Sequence, residues 1–490
     1  MLIKGDKKKE FGEVQFYVDR EIAVGGAEEI VSVIADARLS AVEAMEREAK
    51  VLYKLTYKVI YRSEEGLKCQ EATFDVSTMV SSAFLTPKSY VDPDLTVVAN
   101  EYVGTDPVKV RSTIEIKGFI IVPESFETAE IPEDAAVLVR TEEVGVERIE
   151  AVKESEIVVT NEVDVKEGID TVLTYDTQII LKSVSTATEI CIVLGECYTY
   201  LTYLSGGSLL SRCVVSPFEG EILAPGVGES DRAFLKGVAR ATTVTLPEGA
   251  GSTKFRLELV VGIRGFVVKE EICRVVADAY STKSELVCDY AEVSVEDHVC
   301  LSGQSEKLTG SVTLEDDAPR IRSVLCVCPP TVGAIGVSVE NGEVTAEGIV
   351  AADVIYLDAD ERTVKTLVEI PYRFTLAREF DCDAGVSARA CVVSMTARAR
   401  HNDEIELSGE MYFEVYGAKE KPLRYLQTVE VAGEREADDV AISLYIAAPG
   451  ETLWDVAKAL VTDEDTLTEL NPELELPLKG GEKILLYRSV

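Results

Sequence analysis

A single tryptophan and two histidines, His298 and His401, stand in a chain of 490 residues. The histidines are far apart and no motif surrounds either, so nothing marks an activated nucleophile, and a structural or solvated role is expected for both. No stretch of about 20 apolar residues is present to span a bilayer. The lysines of Met1–Gly12 (MLIKGDKKKEFG) are followed by no apolar run, so no secretory leader is expected. Basic residues are outnumbered, 49 against 87 acidic, for a net charge of −38. Such a surface repels phosphate backbones and anionic lipid heads, and it suits a basic protein partner or solubility at high local concentration. The glycines make no G-x-x-x-x-G-K-[ST] phosphate cradle.

Cysteine is more frequent, but its pattern is uninformative. Eleven at irregular spacings in an unsecreted chain fit free thiols in a reducing cytosol. Cys326-Val327-Cys328-Pro329 has no second ligand pair at zinc spacing. A buried apolar role is expected for this pair and for Cys191 and Cys197, the alternative being a regulatory or crosslinking thiol pair. Adjacent acids such as Glu142-Glu143 and Asp316-Asp317 are what 87 acidic residues produce by chance, and they mark solvated faces. No catalytic residue, metal or cofactor is expected.

What the chain does contain is alternation. Apolar residues make up 46% of it, enough for several cores. The same order of segments recurs three times with a period of roughly 140–150 residues. One anchor is a hairpin: Tyr53–Tyr61 with Cys69–Val76, Cys197–Leu204 with Leu209–Val215, and Ala352–Leu357 with Val364–Tyr372, each around a Gly- or Asp-containing turn. A second is a tightly alternating strand, Val108–Val122, Phe255–Val268 and Ile405–Tyr416, with a glycine beside an aromatic in each: Gly118-Phe119, Gly265-Phe266 and Tyr416-Gly417. A third opens each copy: Ile22–Gly26, Val163–Gly168 and Val299–Gly303. The expected fold is mainly β, with three tandem related all-β domains over 1–150, 151–288 and 289–432. A polar linker follows over 433–440, then a small βααβ domain over 441–490. Val137–Val159 and Val275–Val295 read as strands passing from one copy to the next.

The last 50 residues change character. Leu444-Tyr445-Ile446 reads as a strand, and Pro449-Gly450-Glu451-Thr452 as a turn into a helix that Thr452 caps with Asp455. Leu453, Val456, Ala457 and Leu460 form its apolar stripe. Trp454 lies one position off that stripe, either as an exposed anchor or partly packed. A second short helix follows to Leu470, Asn471-Pro472 stops it, and Lys483–Tyr487 is the last strand. The module carries nine acidic and four basic residues.

Pro449-Gly450-Glu451-Thr452-Leu453-Trp454-Asp455-Val456-Ala457 with Leu470-Asn471-Pro472-Glu473-Leu474 closely resembles the LysM domain over about 45 residues. That resemblance implies a groove for N-acetylglucosamine polymers or for a protein, formed by Gly450, Glu451, Thr452, Leu453 and Trp454 with Asn471, Pro472, Glu473 and Leu474. Glu451, Trp454 and Glu473 are expected to be its exposed members. The sequence departs from the family pattern at Glu451, Gly480 and Leu485-Leu486-Tyr487. Tandem β repeats with Asp278-Ala279-Tyr280-Ser281, followed by one terminal LysM, resemble the SPOCS-domain proteins of spore-forming clostridia. The resemblance implies a non-enzymatic coat scaffold in the mother-cell cytoplasm at the forespore surface, whose LysM domain docks the coat-basement ATPase SpoIVA. The alternative is a peptidoglycan-binding wall protein or hydrolase accessory.

Overall fold

A computed structural model describes residues 2–132, 136–247, 249–333, 335–377, 380, 382, 384–435 and 442–487. It is mainly β. Strand-forming residues alternate inward and outward along long antiparallel ladders, which is how a half-buried sheet reads in sequence.

One topology occurs three times. In the first unit β1 (Leu2–Ile22), β6 (Val108–Glu127) and β5 (Tyr90–Val103) form a sheet in the order β1-β6-β5. Between them β2 (Glu29–Ala44), β3 (Glu48–Ser63) and β4 (Gly66–Ser81) form a meander. In the second unit β7 (Val137–Ile169), β12 (Ser252–Ser281) and β11 (Arg232–Thr245) repeat the first sheet, and β8 (Thr171–Ala187), β9 (Ile190–Ser205) and β10 (Ser208–Leu223) the second. In the third, β13 (Ser284–Thr313), β20 (Glu404–Glu434) and β19 (Ala384–Ala399) correspond to the first sheet. Its meander is β17 (Glu343–Asp358) and β18 (Thr363–Ala377) with three fragments on the edge: β14 (Ile321–Val327), β15 (Thr331–Val332) and β16 (Gly336–Glu340). The fragmentation has a local cause. Pro329 and Pro330 have no N–H to give the ladder, and they stand between β14 and β15.

The hairpin anchors are β3/β4, β9/β10 and β17/β18, and the alternating anchors are β6, β12 and β20. The expected boundaries fall elsewhere. Position 150/151 lies inside β7, which is one strand of the second unit throughout; 288/289 lies inside β13. Val275–Val295 is not a through-strand: β12 ends at Ser281, whose Oγ accepts the Lys283 and Ser284 N–H groups as the chain turns into β13. Val299–Gly303 lies mid-strand in β13, with Gly303 at a register shift. Gly433 and Glu434 of the expected linker end β20, and residues 436–441 lie outside the described residues.

Beyond the sheets proper, two arms extend. Val137–Arg148 of β7 pairs with Lys269–Ser281 of β12, and Ser284–Asp297 of β13 pairs with Lys419–Glu434 of β20. They pack with the start of β1 and the end of β6 through Ile3, Phe126, Val146, Val275, Val295 and Tyr425. The three units also meet around Phe266, whose ring lies 5.3–6.0 Å from those of Tyr90, Phe119, Phe234 and Tyr416. Gly118 and Gly265 have φ of +155° and +149°, and a Cβ on either would strike the neighbouring strand's backbone. A glycine beside an aromatic therefore marks where the sheets close on the common core. Cys326 and Cys328 are buried beside Ile60, Leu209 and Ile355, where the three meanders meet. Among the described residues no helix is long and apolar enough to cross a membrane.

Candidate docking site on the terminal module

The module is built from β21 (Ile442–Ile446), α1 (Leu453–Leu460), α2 (Glu464–Leu470) and β22 (Lys483–Tyr487), with β21 antiparallel to β22. Thr452 caps α1 in a full capping box with Asp455, and Asp463 caps α2 by accepting the Thr466 N–H. Val456, Ala457, Leu460, Leu467, Ile484 and Leu486 make its core.

Most of the residues expected to form a groove have local structural duties. Gly450 is exposed with φ +89°, a left-handed conformation that suits glycine in this turn. Glu451 is half-buried, its carboxylate accepting the Tyr445 hydroxyl at 2.8 Å and the Ala448 N–H at 2.7 Å. Leu453 is buried in the module core. Asn471 ends α2; its Nδ2 donates to the Leu467 and Leu485 carbonyls, and its Oδ1 accepts the Leu485 N–H, tying the helix to β22. Leu474 is half-buried beside the same core. Pro472 and Glu473 are exposed.

Trp454 is the largest departure from expectation. It is only 6% exposed, and what covers it is the arm of the second unit. Its Nε1 donates to Asp278 Oδ2 at 2.8 Å, and its ring meets Tyr280 edge-on with centroids 4.8 Å apart. Lys458, one turn along α1, donates to both Asp278 oxygens at 2.7 and 2.9 Å. Tyr290 of β13 donates to Oδ1 at 2.5 Å, and the Tyr280 hydroxyl donates to the Thr462 carbonyl at 2.6 Å. Arg140 of β7 lies over the indole and 4.0 Å from Asp455. Burial pushes the Asp278 carboxyl up, but hydrogen bonds from Lys458, Trp454 and Tyr290 outweigh it and hold the group below its ordinary value. Burial likewise pushes the Tyr280 phenol up, to about 12.

A surface that the loop motif did not point to is the outer face of the two-stranded sheet. Ile442, Leu444, Ile446 and Tyr487 are 59%, 58%, 60% and 52% exposed, with half-buried Leu485 between them. The signal was present as the alternation Ile442, Leu444, Ile446 against Ser443 and Tyr445, where the stripe usually points inward.

His298 is fully buried, neither ring nitrogen makes a hydrogen bond, and burial with nearby Lys8 and Arg232 lowers it to about 4. His401 is exposed. Among the described residues no cluster of His, Cys, Asp or Glu is arranged to hold a metal ion. The chain matches no protein-family model, no curated protein and no solved structure.

Proposed function

We propose that this protein is a non-enzymatic assembly scaffold, a SPOCS- and LysM-containing coat protein acting at the forespore surface of the mother cell, whose terminal module docks SpoIVA. The observation that carries the reading is the outer face of β21 and β22: four large apolar side chains, each more than half exposed, on a module with nine acidic and four basic residues. A contiguous exposed apolar face on a small acidic module suits a protein surface with an apolar centre and a basic rim. A polysaccharide would ask instead for hydroxyl-directed polar groups in a groove, and of the polar members of the expected groove Glu451, Thr452 and Asn471 are committed to the module's own backbone, which leaves Glu473 exposed. Three repeated units packed as one body supply a rigid base on which several modest contacts can act together.

The test offers the full chain to immobilised SpoIVA and, separately, to insoluble peptidoglycan, with Leu444→Asp beside the wild type. Retention on SpoIVA, lost in Leu444→Asp while far-UV circular dichroism is unchanged, is expected. Retention on peptidoglycan alone overturns the proposal in favour of a wall-binding protein.

A further inference from the structure

The module is held to the body by its least self-sufficient face. Leu453, Val456, Ala457 and Leu460 supply the stripe of α1 that closes the module's own core, and Trp454 stands off that stripe. Its burial is provided by Tyr280 and Asp278 of β12, on a different unit, 176 positions away in sequence. Most of the polar contacts converge: Trp454 and Lys458 of the module and Tyr290 of the body all donate to the one carboxylate of Asp278, which is 8% exposed, beside the separate Tyr280–Thr462 hydrogen bond and the looser Arg140–Asp455 pair. The apolar share is small, chiefly the Trp454–Tyr280 ring contact and Leu138. Contacts of this composition between parts of one chain resemble transient interfaces more than cores.

We propose that Asp278 is the latch of an autoinhibitory contact: it holds the terminal module against the β7/β12 arm, and opening it bares the Trp454 side chain for the partner. This rests on the docking reading above and concerns the regulation of the same module. In the docked state the sheet face of β21 and β22 is open, whereas the Trp454 face is closed. A partner that contacts both faces must displace the arm, so it binds only as tightly as the undocked fraction allows. Removing the latch raises that fraction and the apparent affinity together, with no new contact to the partner. A buried carboxylate deprived of its charge leaves Lys458 and the indole N–H with a weaker acceptor, so a conservative substitution is enough to open it.

The chain carries its own reporter, since Trp454 is the only tryptophan. In the full chain at neutral pH, Asp278→Asn and, independently, Tyr280→Phe are compared with wild type by tryptophan emission and iodide quenching. Melting curves confirm that the β body is intact. Asp278→Asn is expected to shift emission to the red, raise the quenching constant about threefold and tighten SpoIVA binding about tenfold. Tyr280→Phe, which loses only the hydrogen bond to Thr462, is expected to do the same to a smaller extent. Unchanged quenching in both variants overturns the latch. Raised quenching with unchanged or weakened SpoIVA binding overturns the occlusion, because the arm would then not compete with the partner. If neither wild type nor variant binds SpoIVA while quenching rises, the choice of partner fails and the latch stands.

Discussion

At the centre of the body Phe266 touches rings from all three units, whereas at the dock Trp454 touches a single ring, Tyr280. Both places also enclose charge, in different ways. Around Phe266 the charges pair across unit boundaries: Lys236 with Asp92 at 2.6 Å and Asp94 at 3.0 Å, and Arg264 with Asp92 at 3.2 Å. Lys8 lies 4.3 Å from the centre of the Tyr416 ring. At the dock one carboxylate, Asp278, takes three of the donors, and the Tyr280 hydroxyl goes to the Thr462 carbonyl. An interface spread over many rings and several ion pairs is lost only when the units come apart. One that converges on a single group can open while everything around it stays folded. The body is therefore one cooperative piece, and the terminal module is an attachment to it.

The largest expected effect tests the first half of that contrast. Phe266→Ala removes the ring shared by three units from a site only 2% exposed, where large-to-small changes cost about 3–5 kcal/mol. Urea unfolding followed by circular dichroism is expected to show that loss in one transition across the whole body. Two separated transitions, one of them at the wild-type midpoint, would mean that the units fold independently and that the central ring cluster does not unite them.

Much of this contrast was legible in the sequence on one side and hidden on the other. Period-two alternation marks strands because one face of each is buried, so the three copies and the Gly118-Phe119 and Gly265-Phe266 positions stood out. Alternation does not say which strand is the partner. Val137–Val159 therefore read as a connector, when its pairing with β12 makes it the opening strand of the second unit. The terminal helices were legible because their caps are local, within three residues of Thr452 and Asp463. The burial of Trp454 was not, since its cover is set by Asp278 and Tyr280, far away in the chain. Asp278-Ala279-Tyr280-Ser281 was noticeable as a motif, yet nothing local announced what it touches. The break in the third meander was legible only after the fact, from Pro329 and Pro330.

A smaller effect probes how well the charges at the unit boundaries are satisfied. His298 is fully buried with neither ring nitrogen hydrogen-bonded, facing Lys8 of β1, Glu147 of β7, Arg232 of β11 and Glu296 and Asp297 of its own strand. His298→Leu keeps roughly the volume and removes the stranded polar atoms, for an expected gain of about 1–2 kcal/mol. The pH dependence gives the sign. An unfolded histidine takes its proton near pH 6.5, while His298 in the fold does so only near 4. As pH falls through that window the unfolded state gains the proton, and wild type loses stability that the variant keeps. Glu147, which burial holds up to about 7, acts in the opposite direction in both proteins and cancels in the comparison. A variant whose advantage over wild type does not widen between pH 6.5 and 4 would show that His298 is paired in solution.

The smallest expected effect separates the dock from the body most finely, because it should leave the body's stability untouched. Asp278 is held below its ordinary value, so its charged form favours docking; that contribution is fully present above the unfolded value, near 3.9, and is lost as pH falls through the lower folded value. The groups around it are Lys458 and Asp455 on α1, Tyr290 and Cys288 on β13, Arg140 on β7 and Tyr280 on its own strand. Of these Asp455 is also held below its ordinary value: burial raises it, but its bonds to Thr452 outweigh that. Once Asp278 is protonated, the Lys458 side chain loses the carboxylate it is paired with. Acid titration of the full chain should therefore expose Trp454 to iodide before the far-UV signal of the strands changes. In Asp278→Asn, whose tryptophan is already accessible at neutral pH, that early transition should be missing. Should the tryptophan and strand signals of the wild type instead move together, the module would belong to the same cooperative piece as the three units, and the distinction between core and attachment would fall.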